Sequence, residues 1–154
     1  MEPNMRLHRW LFDIAPRLTR LENQSLRDVG PGLTFRQYRI LCRVEEGNRT
    51  VTAIGRLATL SLPAISESTE GLVRKGLLER EVDASDRRSA QLALTEAGRL
   101  AMLEADTVLD ELAEELVAEL DERSLVELER AISKVAARVA DRLRSGAGRA
   151  PEPG

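Results

Sequence analysis

The sequence predicts a mainly α-helical fold with one small β-hairpin, and three observations carry that expectation. Between Gly76 and Gly98 two alternating runs, Leu78/Arg80/Val82 and Ala90/Leu92/Leu94, flank a polar loop rich in Asp and Ser. That is the pattern of a half-buried hairpin with a solvated tip. Directly upstream, Thr52 to Ala58 and Leu62 to Lys75 read as two helices divided by a short turn. Elsewhere apolar residues recur at helical spacing over long stretches. A hairpin that follows two such helices as a wing makes a winged helix-turn-helix, flanked here by N- and C-terminal helices.

The first helix is expected from about Asn4 to Arg27, with Leu7, Leu11, Ile14, Leu18 and Leu21 on one stripe. Pro16 removes a backbone hydrogen bond and crowds the Phe12 carbonyl, which predicts a kink or a split. Gly30-Pro31-Gly32 is a firm break. Thr34 and Gln37 then form a capping box, and Tyr38, Leu41 and Val44 give the buried stripe of a second helix ending near Gly47. Thr52 is the expected N-cap of the short third helix, where Gly55 permits a close crossing, and Ser61 that of the fourth. In the fourth helix Ile65, Thr69 and Leu72 share one face, which leaves Pro63, Ser66, Glu67, Glu70 and Arg74 on the other. After the hairpin, Thr95 caps a long helix carrying Leu109, Leu112, Leu116 and Leu120. Asp121 opens a last one with Leu125, Leu128, Ile132, Val135, Val139 and Leu143 on one stripe. The expected organisation is therefore an N-terminal helix in residues 1–33, a winged domain in 34–95, C-terminal helices in 96–144, and a disordered Gly-, Pro- and Ala-rich tail in 145–154.

Size and composition fit one helical domain built on Leu, Ala and Val, with few aromatics. No apolar run is long enough to span a bilayer, no basic-then-apolar leader is present, and the lone Cys42 fits a reducing compartment, so a cytoplasmic protein is expected. Catalysis is not. One histidine and one cysteine cannot build a common zinc site, no Gly-rich phosphate loop occurs, and no Ser-His-Asp set has an evident elbow. The carboxylates from Glu104 to Asp110 and Glu111 to Glu122 have the spacing of a solvated helix face, and no metal or cofactor is expected. The net charge of −3 is unevenly placed. Residues 34–95 carry +2, ten basic against eight acidic, and residues 96–143 carry −7, six against thirteen. Phosphate contact depends on local charge, so the acidity of the last helices does not oppose it, although +2 predicts modest non-specific affinity.

The order of elements and several positions resemble the MarR family of bacterial transcription regulators. The matching positions are Leu57-Ala58 before the turn, Ser61, Leu72, Gly76-Leu77, Arg80, Asp86-Arg87-Arg88, Leu94-Thr95 and Gly98. The resemblance implies a homodimer in which the first and last helices of two copies interleave, burying stripes that a small winged domain cannot cover. It implies a DNA-binding regulator, a repressor released by a small ligand, acting on a pseudo-palindromic operator. The rival is an adaptor or antirepressor that binds a protein partner and has lost affinity for DNA.

By that resemblance the fourth helix enters the major groove, with Ser61, Ser66 and Ser68 available for phosphates or bases and Arg74 for a phosphate. Arg88 is the groove-inserting residue of the wing, Arg87 its neighbour and Asp86 the acid that orients them. Position 67 departs from the family pattern, being Glu where many relatives are basic, and Glu70 follows on the same outward face. A carboxylate is repelled by phosphate but accepts from the cytosine N4 amino group, so base readout and a lost contact are both open. In the family, small aromatic or phenolic acids bind between the dimer helices and the winged domain. His8, Trp10, Phe12 and Arg17 are candidates to line such a pocket, although packing of Trp10 and Phe12 in the dimer core, with His8 at its rim, is the favoured reading. Cys42 follows Leu41 on a largely apolar helix and reads as an inert small hydrophobe rather than a thiol sensor.

Overall fold

The computed structural model describes residues 4–57, 61–82 and 90–147. Residues up to Leu112 form one compact unit and those from Ala113 a second. Helix α1 (Asn4–Ser25) runs through Pro16 as one element and does not split there. The proline removes a single hydrogen bond, and Phe12, whose carbonyl loses its partner, lies in an exposed stretch where water can replace the donor. A 3-10 turn (Leu26–Asp28) follows, and the chain reverses through Gly30 (φ 51°) and Gly32 (φ 82°), a left-handed conformation that glycine adopts without a Cβ penalty.

The predicted capping box opens helix α2 (Phe35–Glu45): the Gln37 amide donates to Thr34 Oγ1 at 3.1 Å and the Thr34 amide to Gln37 Oε1 at 3.2 Å. Helix α3 (Val51–Leu57) is capped by Thr50, whose Oγ1 accepts from the Ala53 amide at 3.1 Å, rather than by Thr52. The helix already begins at Val51, so Thr52 sits inside the first turn, where its hydroxyl cannot reach the free amides. Helix α4 (Leu62–Arg74) starts after Ser61, which has the extended backbone of an N-cap but makes no side-chain cap bond. Pro63 lies in the first turn and has no N–H, so one donor that a cap would satisfy is missing.

The inner face of α4 falls where the spacing places it, with Ile65, Thr69 and Leu72 at most 1% exposed. The Thr69 hydroxyl donates to the Ile65 carbonyl at 2.8 Å, which satisfies a polar group inside an apolar core. Strands β1 (Leu78–Val82) and β2 (Ala90–Leu94) pair antiparallel with Leu78 opposite Leu94 and Arg80 opposite Leu92. Leu78 and Leu92 enter the core formed with Leu26, Leu33, Ile40, Leu41 and Ile54. Strand β2 also takes a bond outside the hairpin, its Leu92 amide donating to the Arg49 carbonyl at 2.7 Å.

Thr95 caps helix α5 (Glu96–Val117) through the Gly98 amide at 2.9 Å and donates its own hydroxyl to the Gly76 carbonyl at 2.6 Å. Gly98 is required here, because a Cβ would collide with the Leu77 carbonyl. Small residues let α5 lie close to the core, where Ala101 and Ala105 are buried, and Tyr38 Oη donates to Asp106 at 2.6 Å. Asp121 caps helix α6 (Glu122–Ala147) by accepting from the Ser124 amide at 2.8 Å, and hydrogen bonds from Ser124 hold its carboxyl below the usual range. This helix extends three residues past the expected end at 144.

Cys42 is half-buried on α2 beside Tyr38. Burial pushes its thiol up; the Tyr38 hydroxyl and the Arg39 charge oppose that push, and Asp106 and Glu46 reinforce it. A raised thiol holds less thiolate at any given pH, so reactivity should be low at neutrality. At pH 7.5 iodoacetamide should alkylate Cys42 at least tenfold more slowly in the native protein than in urea. The native rate should still climb with pH beyond about 8.5, where an ordinary cysteine is half ionised. Equal native and unfolded rates would contradict this environment.

Candidate nucleic-acid interface

With its inner face fixed, α4 presents a defined outer surface. Pro63, Glu67 and Arg74 are exposed, as is Ser61 ahead of the helix, while Ser66, Ser68 and Glu70 are partly covered. Glu70 does not project freely: it forms an ion pair with Arg80 on β1. An exposed pair of this kind contributes about 0–1 kcal/mol, so its consequence is orientation, tying the helix to the root of the hairpin and removing one of two carboxylates from the outer face. Glu67 and Arg74 are the charges that α4 still offers. The end of the helix is tied as well, since Lys75 Nζ donates to the Gly32 carbonyl and, at 3.0 Å, to Gln37 Oε1. Gln37 thus joins the cap of α2 to the end of α4 through one side-chain oxygen.

Asp86, Arg87 and Arg88 lie outside the described residues. The flanking strands pair in register from Leu78/Leu94 to Val82/Ala90. Of the candidate ligand residues, Trp10, Phe12 and Arg17 are exposed on α1, and the side chain of His8 lies outside the described ones. These three do not line the cavity that the winged domain encloses with the end of α1. That cavity, about 800 Å³, opens between α2 and α4, with the end of α1 and part of α3 completing its wall.

The residues that sequence reasoning missed belong to α2 and to the clamps. Arg36, Arg39 and Arg43 line the cavity together with Arg74. Their i, i+3, i+7 spacing is a one-faced basic stripe that could have been read from the sequence. Arg43 is paired with Glu46 at 2.7 Å, whereas Arg36, Arg39 and Arg74 form no ion pair among the described residues. Glu22 on α1 is pushed up by burial more than the nearby Arg39 charge pulls it down. The partners of Lys75 and Arg80 carried no sequence signal, because each is remote in the chain.

Residues 32–89 match the model of the MarR family. Among curated proteins none matches the sequence significantly. Among solved structures the chain is similar to the transcriptional regulator BldR from Sulfolobus solfataricus, at 25% identity over 90% of this chain and 99% of that one, with a TM-score of 0.73. It shares the fold of wild-type apo MarR from E. coli (24% identity, 88% and 98% coverage, TM-score 0.72). It also shares that of Streptococcus pneumoniae FabT solved with DNA (18% identity, 90% and 98% coverage, TM-score 0.74). The stretch from residue 32 to residue 89 is a MarR-family segment, set in a chain that has the winged-helix fold of the MarR regulators.

Proposed function

We propose that this protein is a sequence-specific DNA-binding transcriptional regulator acting as a homodimer on a pseudo-palindromic operator, a repressor released by a small ligand. The observation that carries this reading is the seating of α4, with Ile65, Thr69 and Leu72 buried and Pro63, Glu67 and Arg74 exposed just ahead of a two-stranded wing. A helix held so that one face cannot turn inward can deliver the other to the edges of bases. Arg87 and Arg88 would supply phosphate and minor-groove contacts and Asp86 would orient them. Likeness to FabT, a structure containing DNA, supports the assignment.

The dimer rests on exposed apolar surface. In the single chain Trp10 is 71% and Phe12 75% exposed on α1, and the α6 stripe from Leu125 to Leu143 is between 37% and 57% exposed. Stripes of this length on charged helices need a partner, and a second copy supplies a self-complementary one. If dimerisation and folding are one event, Leu128→Asp with Ile132→Asp should give unfolded or aggregated protein in sedimentation and circular dichroism. Each change forfeits burial worth roughly 1.5–3 kcal/mol and adds a desolvation cost. A stable, soluble monomer would contradict the dimer.

Glu67 is the feature that favours the adaptor reading, since an exposed carboxylate on a groove-entering helix repels phosphate. Selection from a random DNA pool with wild type, Glu67→Gln and Arg88→Ala separates the readings. If Glu67 reads a cytosine, Glu67→Gln should shift the preferred base at one position of each half-site, by about 1–3 kcal/mol. If it only repels the backbone, the same change should tighten binding to every sequence alike. Arg88→Ala should weaken binding and reduce the salt slope by about 0.9 without unfolding the protein. Failure of the wild type to enrich any sequence would replace the regulator with the adaptor.

A further inference from the structure

We infer that the groove on the C-terminal half of α6 is filled by helix α5 of a second copy, and that opposite charge selects this partner, the cations of one groove facing the carboxylates between Asp110 and Glu115 of the other chain. The inference rests on the homodimeric reading and adds which helices meet and what chooses the partner. The groove, about 740 Å³, is lined by Val135, Val139 and Leu143 and by the cations Lys134, Arg138 and Arg142. Every side chain from Arg123 to Ser145 is exposed or half-exposed, so an amphipathic helix of 26 residues stands uncovered by its own described chain. The one carboxylate of the groove, Asp141, is already paired with Arg144. Lys134, Arg138 and Arg142 form no ion pair among the described residues.

Helix α5 has the complementary chemistry. From Glu104 to Glu122 the chain carries nine carboxylates and no lysine or arginine. Glu104, Asp106 and Asp121 accept hydrogen bonds within the chain. Asp110, Glu111, Glu114 and Glu115 are exposed and form no ion pair among the described residues. The same helix offers Leu112, half-buried, and Leu116, 50% exposed, to the valines and leucine of the groove. Both charged sets repeat at steps of four residues, a rise of about 6 Å per step, so successive pairs can form in register. Exposed ion pairs add little affinity, which the apolar stripe supplies. Their effect is choice, since like charges set face to face reject a wrong partner. Helix α1, with four arginines against two carboxylates, would be repelled by this groove, which leaves it the first half of α6. Two-fold symmetry repeats the contact, α6 of each copy lying on α5 of the other.

Charge exchange in the full-length protein, read by native mass spectrometry and sedimentation velocity, tests the pairing. One variant carries Lys134→Glu, Arg138→Glu and Arg142→Glu, the other Asp110→Lys, Glu111→Lys, Glu114→Lys and Glu115→Lys. Alone, each variant sets like charges together at both contacts, and its self-association should weaken about tenfold or more. Mixed, one contact is reversed and the other native, so both attract, and the two variants should form a heterodimer in large excess over either homodimer. If a variant alone does not fold, co-expression with the other should restore a folded heterodimer, as circular dichroism would register. Self-association of the first variant within threefold of wild type would assign the groove to another partner and overturn the pairing. A mixture that forms no heterodimer, folded or not, would also overturn it. A wild type that sediments as a monomer would remove the homodimeric reading itself, an outcome distinct from a wild-type dimer whose variants show no preference for each other.

Discussion

The whole outward chemistry of this protein depends on α4 being unable to roll. Three side chains one helical turn apart, Ile65, Thr69 and Leu72, are sunk in the core, and Thr69 spends its hydroxyl on its own helix instead of demanding a partner from outside. Two polar ties act at the edges of that seat. Arg80 fixes Glu70 to the root of the hairpin, and Lys75 fixes the end of the helix to the Gly32 carbonyl and to Gln37. Each tie is exposed or half-exposed and so contributes little stability. Their value is geometric: core burial forbids rotation, and the ties set where the helix stands relative to the wing and to the turn after α1.

What the sequence made legible follows from local physics. The two strands of the hairpin could be read because side chains alternate strictly between faces, and a slip of one residue would expose Leu78 and Leu92. Thr34, Thr95 and Asp121 could be read as caps because a short polar side chain, set just before a helical period begins, has free amides within reach. Thr52 misled for the same reason: two threonines lie near that boundary, and which one caps depends on a start that moves by a residue or two. Pro16 left a kink or a split open, and the helix does not split, because a split presumes that the lost hydrogen bond is costly, whereas in an exposed helix water replaces it. The ion pair of Glu70 and the reach of Lys75 were invisible because they join residues 10 and 43 positions apart, through a packing arrangement that no local pattern encodes.

Charge is arranged by place rather than in total. The acidic excess belongs to residues 96–143, while the arginines of α2 and Arg74 of α4 meet around one concavity. Burial elsewhere suppresses ionisation, pushing up the Cys42 thiol and the Tyr38 hydroxyl that donates to Asp106. Helix α2 thus turns Tyr38 toward Asp106 and Glu45 toward Arg99 on α5, and its arginines toward α4.

Oxidative labelling of side chains by hydroxyl radicals, with and without a DNA duplex enriched by the protein, tests most directly whether the outer face of α4 is the one that meets DNA. Leu62 at the start of α4 is 50% exposed, and Leu100 and Leu103 on α5, 59% and 55% exposed, are internal references. Labelling of Leu62 and Pro63 should fall severalfold on DNA while labelling of Leu100 and Leu103 stays constant. Protection of α5 with α4 labelled as before would contradict it.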